Sequence, residues 1–121
     1  MAVILVVEDE VFTRELAGMC MEDCGHAVLF AGNVAEAIKH LKSSSVIDAL
    51  FTDIYLEKAV FGGCEVADEG MVLRPSLRVL YTTGNAATPQ LKARFVLGSH
   101  FLGKPYTPSQ LQTSVDGMLA N

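Results

Sequence analysis

No stretch of this sequence approaches the roughly 18 consecutive apolar residues that a membrane-spanning helix needs. The opening run from Met1 to Val7 is apolar, but no basic residue precedes it and Glu8-Asp9-Glu10 follows at once, so this run is not expected to be a secretory signal peptide. Basic residues are scarce: 9 Lys and Arg stand against 14 Asp and Glu, for a formal charge of −5. That balance leaves no basic stripe of the kind that tracks nucleic acid. Cysteine is limited to Cys20, Cys24 and Cys64, an odd set with no histidine or second cysteine pair to complete a zinc site. Buried, reduced thiols are therefore expected. His26, His40 and His100 also lack metal-binding company and read as structural or surface residues. There is no internal repeat, low-complexity tract or linker. The expected location is the cytoplasm, with neither nucleic acid nor membrane as a partner.

What is present is enough for one packed domain. The chain has 121 residues, half of them hydrophobic and 19% charged, a composition that supports a core. Short apolar runs recur at Val3–Val7, Val28–Ala31, Ala49–Phe51, Leu77–Tyr81 and Phe101–Leu102. Runs without alternation fit strands buried on both faces, as in a parallel sheet. Helical stretches with recognisable ends lie between them. Val11–Cys24 should be a helix stopped by Gly25. Asn33-Val34-Ala35-Glu36 resembles a capping box for a helix running to about Lys42. A third spans Cys64–Leu73, and Thr88-Pro89 and Thr107-Pro108 each pair an N-cap with an N1 proline to open a fourth and a fifth, the last through Leu119. The fold class is α/β: a doubly wound (βα)₅ parallel five-stranded sheet of the flavodoxin-like kind, strand order 2-1-3-4-5, with right-handed crossovers.

In open α/β sheets, ligands bind beyond the carboxyl ends of the strands. Those ends carry Glu8 and Asp9 after strand one, Asp53 after strand three, Thr82-Thr83-Gly84 after strand four and Lys104-Pro105 after strand five. Two carboxylates about 4 Å apart repel by about 4 kcal/mol at an effective dielectric of 20. A hard divalent cation turns that repulsion into attraction, and Lys104 offsets more of it.

Val6-Val7-Glu8-Asp9-Glu10, Phe51-Thr52-Asp53-Ile54, Leu80-Tyr81-Thr82-Thr83-Gly84 and Phe101-Leu102-Gly103-Lys104-Pro105 resemble, in order, the signature segments of CheY-like response regulator receiver domains. The resemblance covers the whole chain and implies one receiver domain over residues 1–121, of the stand-alone type with no effector domain. It implies Asp53 as phosphoacceptor and Mg²⁺ as cofactor. Asp9 and Asp53 are the implied side-chain metal ligands, with the Tyr55 backbone carbonyl as a third and Glu8 acting through water. Thr83 and Lys104 are implied to contact the phosphoryl group, and Thr83 and Phe101 to form the switch. The implied partners are a sensor histidine kinase or histidine phosphotransfer protein and a downstream protein target. The implied activity is two-component signalling, in which the chain catalyses only its own phosphorylation and dephosphorylation. The alternative within the same fold is a receiver-like binding module that is not phosphorylated.

Several positions depart from the pattern. Glu57 stands where proline is usual, and is expected to point outward. The following loop, Lys58 to Gly63, is longer than common. Gly84 replaces the commoner alanine beside Asn85, so the fourth helix is expected to be poorly formed. Lys104–Pro105 resembles the family's cis peptide. Phe12, Leu16 and Met19 fall on one stripe of the first helix and are expected to pack in the core, the alternative being a docking patch. A haloacid-dehalogenase-type hydrolase is disfavoured because its second aspartate would fall at Tyr55. A flavodoxin is disfavoured because Glu8-Asp9-Glu10 would repel a flavin phosphate.

Overall fold

A computed structural model of the chain describes residues 1–120. Over these residues the elements alternate: β1 (Val3–Val7), α1 (Val11–Asp23), β2 (Ala27–Ala31), α2 (Val34–Lys42), β3 (Ala49–Asp53), α3 (Gly62–Leu73), β4 (Arg78–Thr83), α4 (Pro89–Lys92), β5 (His100–Gly103) and α5 (Pro108–Leu119). The strands form one parallel sheet in the order β2-β1-β3-β4-β5. The continuous apolar runs are explained by two cores, one on each face. Leu5, Val7, Leu50, Val79 and Tyr81 pack on one side with α2 and α3. Ile4, Val6, Phe51 and Leu80 pack on the other with Ala17, Met21, Leu111, Val115 and Met118 of α1 and α5.

Helix ends follow the local chemistry. Glu10 caps α1, accepting the Phe12 and Thr13 backbone N–H groups, so this third acid of the opening cluster belongs to the helix. Gly25 takes φ 90°, the left-handed conformation that ends α1 after its C-cap Cys24. Asn33 caps α2, while Glu36 reaches one residue further back than a capping box requires, to the Gly32 N–H at 2.7 Å. Thr107 and Gln110 make the full reciprocal box at α5. The helix after β3 begins at Gly62, two residues before the expected Cys64. The helix after β4 has only four residues, as the Gly84 backbone suggested.

Two sequence expectations need correction. Phe12, Leu16 and Met19 are 75%, 65% and 58% exposed and do not enter the core. The buried side of α1 is instead Ala17, Gly18 and Met21, small or flexible residues that let the helix lie close to the sheet. The three thiols are free, but only Cys64 is buried; Cys20 is half-buried and Cys24 exposed. The Lys104–Pro105 bond is cis, as expected. Among the described residues no helix is long and apolar enough to cross a membrane.

Candidate functional site

Three acids meet at the carboxyl edge of the sheet. Glu8 and Asp9 follow β1, Asp53 ends β3, and one carboxylate oxygen from each lies within 4.8 Å of the others. Lys104 follows β5 and extends its ammonium between them. Its Nζ donates to Glu8 Oε1 at 2.5 Å and to Asp53 Oδ2 at 2.9 Å. Glu8 and Asp53 are buried, so these are charge-assisted bonds in a poorly solvated place.

The electrostatics follow from that burial. Desolvation pushes the Glu8 carboxyl up to about 7; the Lys104 bond opposes the rise, and the nearby Asp53 and Asp9 reinforce it. Burial would lower the Lys104 ammonium, but its hydrogen bonds to Glu8 and Asp53 overcome that and hold it above its ordinary value. One lysine facing three acids leaves the cluster short of positive charge. Hard oxygen donors that converge in this way suit Mg²⁺, so the residues present fit the implied ion.

Asp53 is held by its backbone as much as by its ends. The Thr52 hydroxyl donates to the Asp53 carbonyl at 2.9 Å, and the Ile54 N–H to the Thr82 carbonyl at 2.9 Å. Gly63, in the first turn of α3, donates its N–H to the Ile54 carbonyl. A Cβ on Gly63 would sit 2.1 Å from the Asp53 carbonyl oxygen, so only glycine allows α3 to approach the Asp53 backbone this closely. Arg14 adds a clamp on the first loop, donating to the Glu8 carbonyl at 2.9 Å. Neither Gly63 nor Arg14 stood out in the sequence; the adjacent pair Gly62-Gly63 before a helical run was the available signal.

The remaining candidates lie around this centre. Tyr55 is half-buried, two residues beyond Asp53, and its ring packs against Phe61 at 5.7 Å between centroids. The Arg94 guanidinium lies 5.3 Å from the Phe61 ring centroid, so the β3–α3 loop touches the segment after α4. Thr83 is buried; its hydroxyl accepts the Asn85 N–H at 3.2 Å and its carbonyl accepts the Lys104 N–H. Phe101 stacks on Phe95, which stacks on Tyr81, with centroid distances of 5.9 and 4.3 Å. Burial pushes the Tyr81 phenol up to about 12, although the Val96 N–H it accepts works in the opposite direction. Glu57 is exposed, as expected. The sheet edge thus brings together Glu8, Asp9, Asp53 and Lys104, while Thr83 and Phe101 engage their own neighbourhood.

Two grooves differ in their relation to this centre. One of about 570 Å³ runs between α1 and the start of α5, lined by Leu16, Cys20, Lys104, Pro105 and Tyr106, and so adjoins the acid cluster. A larger one of about 830 Å³ is lined by Ala2, Asp48, Leu77 and Arg78 at the amino ends of the strands. The chemistry, rather than the size, identifies the relevant end.

Comparison with known proteins agrees with this geometry. The family model of the response regulator receiver domain matches residues 4–116. A response regulator receiver protein from Sinorhizobium medicae is 31% identical, with a TM-score of 0.90 over 98% of this chain and 94% of that one. The chemotaxis protein CheY4 of Vibrio cholerae shares the fold, with a TM-score of 0.88 at 22% identity over 98% of this chain and 99% of that one. Among curated proteins, the alginate biosynthesis transcriptional regulatory protein AlgB of Pseudomonas syringae pv. tomato is 30% identical over 110 residues, 90% of this chain. The match spans only 24% of that regulator's length.

Proposed function

The chain belongs to the response regulator receiver domain family, and from that membership we propose that Asp53 is its phosphoacceptor in a two-component system. The observation that carries the proposal is the convergence of Glu8, Asp9 and Asp53 with Lys104 bonded between two of them. An Asp53 oxygen attacks phosphorus, the bond from phosphorus to the donor's leaving atom breaks, and an acyl phosphate forms. Hydrolysis of that anhydride by water returns the free carboxylate and inorganic phosphate. Phosphoryl transfer asks the protein mainly for positioning and charge stabilisation. Asp9, Asp53 and the Tyr55 carbonyl would hold Mg²⁺, with Glu8 acting through water. The ion supplies charge neutralisation on the phosphoryl oxygens and orientation of the attacking carboxylate. Lys104, already bonded to Asp53, is placed to pair with an incoming phosphoryl oxygen.

The output follows from the strand-four side. Thr83 gives up the Asn85 N–H and turns its hydroxyl to the new phosphoryl oxygens, and Phe101 moves into the space released. The donor is a sensor histidine kinase or histidine phosphotransfer protein in the cytoplasm. The exposed Phe12, Leu16 and Met19, next to the α1–α5 groove, support α1 as its docking face. A downstream protein target then reads the changed surface around α4 and β5. The test is incubation with phosphoramidate and Mg²⁺ followed by intact-mass measurement. A gain of one phosphoryl group in the wild type, absent with EDTA and in Asp53→Asn, is the expected result. A gain that survives in Asp53→Asn contradicts the assignment.

A further inference from the structure

Lys104 follows the edge strand β5, yet its ammonium bonds Asp53 on β3 and Glu8 beyond β1. In the order β2-β1-β3-β4-β5, β4 lies between β5 and the strands that carry those two acids. The β4 residue level with Asp53 is Thr82, which is the register partner of Asp53 on one side and of Leu102 on the other. Leu80 and Leu102 both pack into the cluster beneath α1 and α5. Strand alternation therefore puts Thr82 on that same face, two residues before Lys104 in register through its partner Leu102. Thr82 is 2% exposed, and among the described residues its hydroxyl oxygen is the buried side-chain polar atom with no hydrogen-bond partner.

An orphaned hydroxyl at a buried strand position costs stability. Valine would fill nearly the same volume and suit a strand at least as well. The neighbouring lysine has the complementary deficit: an ammonium carries three N–H donors, and the Lys104 side chain makes two hydrogen bonds in this structure, to Glu8 and Asp53. We propose that Thr82 is a positioning residue for Lys104, its hydroxyl accepting an ammonium N–H as Lys104 shifts from Glu8 toward the phosphoryl group on Asp53. This rests on Asp53 being the phosphoacceptor. Thr82 touches no reacting atom; it keeps the ammonium on the reacting side by supplying the partner that Glu8 gives up.

Thr82→Val and Thr82→Ser test the inference with two readouts of opposite sign. Thr82→Val removes the orphan and is expected to raise the melting temperature by about 4 °C. It should also slow phosphoryl uptake from acetyl phosphate by about tenfold, the loss of one hydrogen bond to a charged group. Thr82→Ser should recover the wild-type rate within about twofold, because it keeps the hydroxyl. Uptake at the wild-type rate in Thr82→Val overturns the inference, as does a Thr82→Ser rate as slow as that of Thr82→Val. A stability cycle judges the inference without any phosphorylation. In Glu8→Met the ammonium has lost its Glu8 acceptor and depends more on Thr82, so adding Thr82→Val should lower the melting temperature instead of raising it. The same sign of shift in both backgrounds overturns the inference. Failure of every variant and the wild type to take up phosphate, with the sign reversal intact, refutes the phosphoacceptor assignment and leaves the inferred pairing of Thr82 with Lys104 standing.

Discussion

The two sides of the site are built differently. On the β3 side, Asp53 is followed by a loop that feeds a 12-residue helix, and Gly63 of that helix lies against the Asp53 backbone with no room for a side chain. On the β4 side, Thr83 is followed by Gly84, which has open space around it, then by a four-residue helix and a turn whose Leu97 is fully exposed. The side proposed to receive charge is held fast, and the side proposed to report it is loosely tied. The ties on the reporting side are few and identifiable: the Tyr81–Phe95–Phe101 stack, the Val96 N–H to the Tyr81 phenol, and Arg94 over Phe61. A rigid acceptor keeps the carboxylate in place for in-line attack, while weak packing lets a small change in hydrogen bonding shift a population.

The largest way to break this contrast is to exchange the glycines' tolerance. Gly63→Ala should destabilise the protein by about 3 kcal/mol or more in urea unfolding, because the clash is with backbone rather than a movable side chain. Gly84→Ala should be tolerated and stabilise by about 0.4–1 kcal/mol through the unfolded chain. Similar costs at both positions would erase the distinction.

Metal comes next in size and acts on the held side. At about one hundred times its dissociation constant, Mg²⁺ should add about 2.7 kcal/mol to unfolding stability. Asp9→Asn should abolish most of that gain, as read by thermal melts with and without the ion. An undiminished gain in Asp9→Asn would mean that the acidic cluster is not where the cation acts.

The buried phenols give a pH test, Tyr81 on the reporting side and Tyr106 on the α1–α5 side. Burial pushes Tyr81 and Tyr106 each up to about 12 from 10. A raised folded value means that the neutral phenol contributes stability fully present below pH 10 and lost as pH climbs through about 12. Ultraviolet titration should show two of the three tyrosines ionising near pH 12, together with loss of the folded circular dichroism signal. Ionisation of Tyr81 and Tyr106 near 10 with the fold intact would contradict their burial. The smallest effect is expected at the surface tie: Arg94→Gln should cost about 0.5–1 kcal/mol and speed hydrogen exchange over residues 84–99 and in the β3–α3 loop, leaving β1 and β2 unchanged.

The sequence made one side of this contrast more legible than the other. Apolar runs marked the strands because a doubly covered parallel sheet needs them, and caps such as Asn33, Thr88 and Thr107 act within a few residues. Glu8, Asp9, Asp53 and Lys104 could be placed at one edge because strand ends in this topology share it. Spacing failed where the outcome depends on partners distant in sequence. The stripe of Phe12, Leu16 and Met19 has helical period, but period does not say which of two apolar faces meets the sheet; Ala17, Gly18 and Met21 fit closer. The approach of Gly63 to Asp53 and of Arg94 to Phe61 depends on how separate loops meet, which no local pattern encodes. Glu10 read as part of an acidic run, yet its backbone neighbours recruit it as a cap.

The central claim is that charge placed on the rigid side is expressed on the loose side. Hydrogen exchange, measured residue by residue with and without phosphorylation of Asp53, tests it most directly. The account predicts that protection changes concentrate in residues 84–101 and disappear in Thr83→Ala, while β3 and α3 stay as they were. Changes centred on α3, or unaltered in Thr83→Ala, would contradict it.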